Sequence, residues 1–424
     1  MSSEPPGLDA APGETSAPRP KKPHPLVVLR HRDYRLLFAG APFSQTANQM
    51  RSIANTVQVY QLSDHNAALV GLMFLFQGIA AIVVGFFGGT LADIVDRRFI
   101  IKFSVLGQIL IAGVLALLTT TGHIQVWQIF ALTFLGAAIG SVDGPTRSAM
   151  VSDLVPRREL MTAISLQSMV GTGAGLAGPA LGGVVVGTLG ATTAYVIDAC
   201  LLIPAAVAIW MLRIPARAAA RRAKMTFGAV FAGLQFTAKS PVLFGFLALD
   251  TVTMLAGYYP AMMVVMANDV LHVGSGGYGV LQSAPAFGAL LGFLGLLIVG
   301  NVKRKGLLMI VVSIGHAIAL FFFAVSPWFW LSLPLVATLG FMDSLSMSVR
   351  STTFQLLAPE LMRVRVMSML FIAAVGANSL GGTVLGVQAK FFGPREALMV
   401  GAVIGGGFAV LVGLFWKKVR DYQS

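Results

Sequence analysis

The chain is dominated by apolar runs, each close to the length that crosses a lipid bilayer. A transmembrane helix needs roughly 20 mostly apolar residues, and six such runs lie on each side of a basic segment at residues 213–240. Charged residues make up 11% of the chain, against about a quarter in a soluble domain. The sequence therefore predicts an all-α membrane protein with twelve transmembrane helices. The predicted spans are 36–60, 68–89, 100–120, 127–148, 160–186, 192–212, 241–266, 278–299, 306–325, 328–352, 366–388 and 397–416.

The basic residues lie almost entirely on one side of these spans. With the N-terminus inside, 27 of the 30 lysines and arginines fall in inner segments, whereas the outer loops carry only Lys390 and Arg395, and Arg51 lies within the first span. Because cytoplasmic loops carry an excess of Lys and Arg, we expect a multi-pass protein of the bacterial inner (plasma) membrane with both termini cytoplasmic. A net charge of +13 is also typical of nucleic-acid binding. Here the charges lie in short tracts between spans, so we expect the lipid bilayer, and not nucleic acid, as a partner.

An internal repeat divides the chain into two related halves. Residues 147–156 align without gaps with residues 350–359, and an aspartate precedes each aligned arginine, at Asp143 and Asp343. This pattern predicts two pseudo-symmetric six-helix halves related by an axis along the membrane normal. The expected units are a disordered cytoplasmic tail at 1–28, an N-terminal six-helix bundle at 29–212, a cytoplasmic linker at 213–240, a C-terminal six-helix bundle at 241–418 and a cytoplasmic tail at 419–424.

The loop after the second span reads Gly-Gly-Thr-Leu-Ala-Asp-Ile-Val-Asp-Arg-Arg at residues 88–98. It resembles the signature of the major facilitator superfamily, which implies the major facilitator fold. Ile94 and Asp96 depart from the usual pattern and resemble the variant found in one branch of bacterial exporters. In that superfamily the loop helps to close the cytoplasmic side, so the resemblance implies that Asp93 is a switching acid in a charge network. The implied gating residues are Gly89, Leu91, Asp93, Arg97, Arg98 and Arg147.

The fifth span contains Gly-Leu-Ala-Gly-Pro-Ala-Leu-Gly-Gly at residues 175–183. Small residues three and four apart let helices approach closely, and a proline bends the helix. The pattern resembles the motif of proton-coupled antiporters of the superfamily, which implies export; a glycine-rich helix contact is the alternative. Residues 31–38 and 154–160 resemble the branch that holds the enterobactin exporter and macrolide-efflux proteins. The motif residues are Gly175, Gly178, Pro179, Gly182 and Gly183.

The first span carries a polar stripe, with Ser44, Asn48, Arg51, Asn55 and Gln58 at steps of four and three residues. Lipid cannot satisfy such groups, so the stripe must face the protein interior or a water-filled cavity. Ionisable residues at membrane depth cost about 2.5–3.5 kcal/mol each on insertion scales and so indicate function. A structural pair in which Arg51 neutralises an aspartate is the alternative. The candidates for coupling or substrate binding are Arg51, Asp198, Asp250, Asn48, Asn55 and Gln58.

Sequence motifs for other chemistries are absent. There is no phosphate-binding loop and no hydrolase or metalloprotease motif, and Cys200 is the single cysteine. We therefore expect no catalytic residues, no cofactor and no metal site. The chain is predicted to be a monomeric secondary active transporter that exports a small organic or amphiphilic molecule, such as a drug or a siderophore-like metabolite, by alternating access with protons as coupling ions. The alternatives are a lipid or lysophospholipid flippase, a metabolite importer of the same fold, a channel and a multispan membrane enzyme.

Overall fold

The computed structural model describes residues 25–94, 96–213, 227–300 and 302–423, and nearly all of them are helical. Helices satisfy their backbone hydrogen bonds internally, as a segment in lipid must. Short 3₁₀ turns lie at Pro25–Arg30, Arg157–Glu159 and Tyr259–Ala261, and a π-helical segment lies at Met266–Val270. The helices are α1 (Arg32–Leu62), α2 (Ala67–Ile94), α3 (Arg97–Thr120), α4 (Val126–Leu154), α5 (Leu160–Trp210), α6 (Phe227–Lys239), α7 (Pro241–Gly257), α8 (Met263–Val265), α9 (Gly274–Val299), α10 (Lys305–Val325), α11 (Phe329–Leu357), α12 (Glu360–Phe392), α13 (Pro394–Phe415) and α14 (Lys417–Arg420).

Ten helical segments among the described residues are long and apolar enough to cross a membrane. Helix α5 supplies two crossings, because Gly190 interrupts it with φ +82°, a conformation that residues with a Cβ rarely adopt. Helix α1 adds the twelfth crossing: its 31 residues extend about 46 Å, and its polar stripe lowers its hydropathy below that of the others. The twelve-helix prediction is therefore confirmed in the part of the chain that the structure describes.

The helices form two bundles, α1–α5 and α7–α13, that meet along two seams. Helix α2 packs on α12, and α5 packs on α9. We call the side at which α1 and α3 begin the inner side, and the side at which they end the outer side. Since successive helices alternate in direction, the first turns of α2 and α9 and the last turns of α12 lie on the outer side.

Glycines make both seams close enough for backbone contact. A Cβ atom built on Gly71 of α2 would lie 2.4 Å from the carbonyl oxygen of Gly382 in α12. One built on Gly279 of α9 would lie 2.4 Å from the carbonyl oxygen of Pro179 in α5. Both distances are too short for any larger residue without displacement of a helix. The two halves are therefore in direct backbone contact on the outer side.

Segments predicted to be tails and a linker are partly packed. Val28 is buried in the first 3₁₀ turn, and α6 occupies 227–239 of the predicted linker and packs on α12. Val419 is fully buried beneath α7 and α10, and the backbone N–H of Gly306 donates to the carbonyl of Tyr422 (3.2 Å). Residues 419–422 of the predicted tail thus dock on the C-terminal half. The predictions for residues 1–24 and 214–226 fall outside the described residues.

Candidate functional site

A cleft of about 690 Å³ separates the two halves on the inner side. Its walls are α2 and α4 from the first half and the last turns of α11 with the first half of α12 from the second. Most of the lining is apolar, with Ile82, Met367 and Phe371 as its large side chains, and Gln355 and Arg363 are among the polar groups. The cleft therefore offers an apolar surface with a cationic group to a molecule that enters from the inner side.

The outer side is closed by polar as well as apolar contacts between the halves. The Tyr60 hydroxyl at the end of α1 donates to Asp269, in the π-helical segment of the second half, and Nδ1 of His65 lies 3.4 Å from the same carboxylate. Val57 and Tyr60 also share one buried cluster with Met263 and Tyr278 of the second half. The molecule is thus closed on the outer side and open on the inner side.

The polar stripe of α1 faces the interior of the first half, as its periodicity predicts. Arg51 donates to the side-chain oxygens of Asn48 and Gln108 and to the backbone carbonyl of Gln108 (3.2 Å). Its Nη1 lies 3.4 Å from Oδ2 of Asp198, which is fully buried on the second part of α5. The structure therefore brings two predicted candidates, Arg51 and Asp198, into an ion pair.

The outer half of the stripe is tied into a separate hydrogen-bond network. Asn55 donates to Thr133 of α4 (3.0 Å), and Gln58 donates to Thr119 of α3 (3.0 Å). The Tyr195 hydroxyl approaches both Asn55 and Gln58, at 2.9 and 2.8 Å from their side-chain oxygens. Because these groups are satisfied by protein partners, their evident role is to hold α1 against its neighbours.

A polar cavity of about 260 Å³ lies beside the Arg51 pair, within the first half. It opens among α1, α3, α4 and α5 and has room for several water molecules. Asn48 and Gln108, the partners of Arg51, form part of its wall. The cavity is therefore separated from the ion pair by the side chains of Asn48 and Gln108. Its other polar lining groups are Ser44, Gln45, Ser104, Asp143, Arg147, Ser148 and Gln167.

The second half contains its own buried ion pair, Asp250 of α7 with Arg350 of α11. Each residue is less than one-tenth exposed. The sequence indicated Asp250 but not its partner, because Arg350 lies near the predicted end of a span and counts there as an inner-side charge. Its alignment with Arg147 in the repeat was the available signal.

The predicted gating motif is only partly described. Helix α2 continues through Ile94, but the structure does not describe the side-chain positions at Gly89, Leu91 and Asp93, so their role stays a prediction.

The arginines of the motif lie in the described part of the chain. Arg97 pairs with Asp153 (2.6 Å), and the backbone N–H of Arg98 donates to Asp96, which caps α3. Arg147 pairs with Asp143 on its own helix (2.6 Å). The arginines of the motif therefore have acidic partners on the inner side.

The fifth-span motif lies where α5 contacts two other helices. A Cβ atom on Gly178 would lie 2.6 Å from Cβ of Gln49, and one on Gly182 would lie 3.0 Å from Cα of Met50, both in α1.

The other face of the motif contacts the second half. Gly183 meets α9 of that half, and Gly175 lies at ordinary contact distance from the same helix. Pro179 contributes the carbonyl that contacts Gly279. The motif is a close helix contact that also joins the two halves.

Comparisons with known proteins agree with this architecture. A family described as transmembrane secretion effectors matches residues 24–421. The enterobactin exporter EntS of Citrobacter koseri is 25% identical over 398 residues, which cover 92% of each chain. EntS of Shigella flexneri is 25% identical over 391 residues, which cover 91% of each chain.

Solved structures of low sequence identity share the fold. A bacterial homologue of the human lysosomal transporter Spinster, in an inward-facing and unoccupied conformation, has a TM-score of 0.69 at 15% identity, over 92% of this chain and 98% of that chain. A D-xylose–proton symporter has a TM-score of 0.67 at 14% identity, over 92% of this chain and 99% of that chain. At such identities the likeness establishes the arrangement of helices alone.

Proposed function

Since the chain belongs to the transmembrane secretion effector family of the major facilitator superfamily, we propose that it exports a small organic or amphiphilic molecule in exchange for protons, by alternating access. The family makes it a multi-pass membrane transporter and a homologue of the enterobactin exporter, and its relatives are not enzymes. The proposal adds the direction of transport, the coupling ion and the mechanism.

The proposal rests on one observation: the two halves are in contact on the outer side and separated on the inner side. Backbone contacts at Gly71 and Gly279 close the outer side, while the cleft of about 690 Å³ separates the halves on the inner side. A transporter of this kind works by rocking one bundle against the other around a central site. The observed arrangement is what an exporter needs in the state that takes substrate from the cytoplasm.

The lining of the cleft supports an amphiphilic substrate. Small-molecule sites are mostly apolar, with a few polar groups that orient the ligand. Ile82, Met367 and Phe371 provide the apolar surface, and Gln355 and Arg363 provide the polar groups. An acidic, siderophore-like molecule fits this combination, as does a hydrophobic drug.

Proton coupling is assigned to the buried ion pairs. Protonation of Asp198 removes the negative charge that balances Arg51, and protonation of Asp250 does the same for Arg350. Coupling requires that the proton bind the two transport states with different affinity, since equal affinity shifts no equilibrium. We expect the rocking motion to change the access of solvent to each pair, which supplies that difference.

The orientation in the membrane is part of the proposal. We place both termini and the linker in the cytoplasm of a bacterial cell, with Asp93, Arg97 and Arg98 at the inner gate, and we expect the monomer to be the transporting unit. In a Cys200→Ser background, a membrane-impermeant maleimide should label Lys390→Cys in intact cells and should leave Lys303→Cys unlabelled. The reverse pattern would overturn the orientation.

Transport in inverted membrane vesicles tests the function directly. With an acidic lumen, vesicles that contain the protein should accumulate radiolabelled enterobactin, or ethidium as an unrelated drug-like probe, above the external concentration. An uncoupler should abolish the accumulation, and Asp198→Asn should lack it. Lys390→Gln, which alters a charge in the last turn of α12 on the outer side, is the matched control and should behave as the native chain does. Accumulation only with an alkaline lumen would indicate import and contradict the proposal.

A lipid flippase is the second candidate, favoured by an apolar groove of about 470 Å³ among α2, α3 and α4. Its wall includes the exposed rings of Phe99 and Phe103, which lie where acyl chains would contact the protein. Translocation of a fluorescent lysophospholipid in proteoliposomes, without proton flux on addition of either soluble probe, would favour this candidate.

A further inference from the structure

A line of polar groups crosses the second half from α11 through α10 to α7. Asp343 accepts a hydrogen bond from the hydroxyl of Tyr259 (3.1 Å), and its Oδ1 lies 3.0 Å from Nδ1 of His316. His316 is 2% exposed, and neither of its ring nitrogens makes a hydrogen bond of good geometry with the residues that the structure describes. Nδ1 has only the close approach of Asp343, and Nε2 has no polar neighbour assigned to it among those residues. A buried ring nitrogen that is left unpaired is costly, so His316 calls for a further partner.

A cavity of about 10 Å³ adjoins both His316 and Asp250. This volume is close to the roughly 10–15 Å³ that one buried water requires. A buried water also needs two to four polar partners, and the wall supplies them. The polar lining groups are Asp250, Thr253, Ser313, His316, Asp343 and Ser346.

The two ends of this line differ in their access to solvent. Asp343 is the middle residue of α11, and its side chain is 32% exposed. A carboxylate at that depth must face the protein interior or a water-filled space, because exposure to lipid is too costly. Asp250 is 7% exposed and paired with Arg350. The line therefore runs from an accessible acid to a buried one.

We propose that Asp343, His316 and one water molecule bound in this cavity form a proton path to Asp250. The inference rests on the proposed function, in which Asp250 takes up a proton. Asp343 takes a proton from solvent and passes it to Nδ1 of His316. Nε2 then releases a proton to the water, which passes one to the Asp250 carboxylate. One proton is moved in total, and reverse transfer or a ring flip restores the histidine tautomer.

The path has a defined set of charged and titratable neighbours. Asp343 and Tyr259 face His316 from one side, and Asp250 with its partner Arg350 lies across the cavity. Helix α13 also packs on α10, and its sequence after Glu396 carries no ionisable side chain. Proton arrival at Asp250 neutralises the partner of Arg350 and so loosens the contact of α7 with α11.

The protonation of Asp250 can be followed without a transported substrate. After a pH jump on the purified full-length protein, time-resolved infrared spectroscopy should show a carboxylic acid band that Asp250→Asn abolishes. In His316→Gln the band should reach the native amplitude at equilibrium but form at least tenfold more slowly. His123→Gln, a histidine in an outer turn, is the matched control and should form the band at the native rate.

Two results would overturn the path: an unchanged rate in His316→Gln, or a native protein whose Asp250 band does not respond to pH. If His316→Gln is misfolded, Asp343→Asn retains the imidazole and tests the same path.

The experiments can tell a failure of the proton path from a failure of the proposed function. A native protein that shows the band but no proton-driven accumulation of either probe would refute proton-coupled export alone.

Discussion

Each half contains a buried ion pair of one arginine and one aspartate, but the cavities near the two pairs differ in size. In the first half, Asn48 and Gln108, the hydrogen-bond partners of Arg51, line a polar cavity of about 260 Å³, whereas in the second half Asp250 itself lines a cavity of about 10 Å³. The charges also lie on different helices of the two halves. Helix α1, the first of the first half, carries the arginine, whereas α7, the first of the second half, carries the aspartate. One pair therefore has space for several waters nearby, and the other has space for a single one.

Truncation of the arginines should produce the largest effects and test this difference. Removal of one partner from a buried ion pair typically destabilises a protein by about 3–5 kcal/mol, and we expect Arg350→Met to lie in that range. Arg51→Met should cost less, about 1–3 kcal/mol, because water from the adjacent cavity can hydrate Asp198. Unfolding in detergent, followed by circular dichroism, gives both values.

Paired replacements provide the control for this experiment. Arg350→Met with Asp250→Leu should recover most of the lost stability, since an apolar pair replaces the uncompensated charge. Equal losses for Arg51→Met and Arg350→Met would mean that the two cavities do not differ in their capacity to hydrate a charge.

Substitution of seam glycines should separate contacts between the halves from contacts within one half. Gly279→Ala places a Cβ against the other half. The overpacking should destabilise the state that is closed on the outer side by about 1–3 kcal/mol and so shift the equilibrium towards the outward-open state. Gly340→Ala is the matched control, because its Cβ would lie 2.1 Å from the Pro285 carbonyl within the second half. Electron–electron distance measurements between spin labels on the outer ends of α2 and α12 report the shift.

A shift of similar size in Gly340→Ala would show that the halves do not move as rigid bodies. In that case the seams on α2 and α5 would not control access to the outer side.

Neutralisation of the two acids should separate coupling from binding. Asp198→Asn and Asp250→Asn should each reduce proton-driven accumulation at least tenfold, equivalent to about 1.4 kcal/mol, because neither side chain can then exchange a proton. Exchange of labelled for unlabelled probe without a gradient should persist. Only Asp250→Asn should remove the effect of a further His316→Gln substitution.

The pH dependence provides the check on these variants. Acidification on the outer side should accelerate native export, since protons then move inward down their gradient, and the variants should respond weakly. A variant that loses gradient-driven accumulation and exchange together has lost binding, and its residue would no longer be assigned to coupling.

The polar closure of the outer side should give the smallest effects. Tyr60→Phe removes one hydrogen bond to Asp269, worth about 0.5–1.5 kcal/mol. His65→Gln disturbs a largely exposed pair, worth at most about 1 kcal/mol. The same spin-label distances should show a modest gain of outward-open molecules for Tyr60→Phe and little change for His65→Gln. A larger effect from His65→Gln would reverse this order.

Much of the fold could be predicted because its determinants are local. Apolar runs identify each span without reference to partners, and the tract at residues 88–98 indicated the superfamily that the comparisons confirm. The polar face of α1 also followed from local periodicity. Long-range pairing does not follow in this way: Asp250 and Arg350 are separated by 100 positions and by three helices.

The pairing of side chains within the candidate site also could not be predicted from the sequence alone. The sequence offered a pair between Arg51 and an aspartate as an alternative, and the structure selects Asp198 over Asp250. Asp343 entered only as part of the repeat, and nothing in its neighbours along the chain indicates that it meets Tyr259 and His316. The size of the two cavities depends on side chains from several helices and has no signature in any one of them.

The glycine seams bear on the energy needed to switch between states. Burial of apolar side chains stabilises an interface by about 25 cal/mol for each Å² removed from water. Where Gly71 meets Gly382 and Gly183 meets Gly279, the touching surfaces are backbone, so their separation wets few hydrocarbon groups. At these points the halves can part at a low cost in free energy, whereas separation of the cluster that holds Val57, Tyr60, Met263 and Tyr278 exposes apolar side chains and therefore sets the cost of opening the outer side.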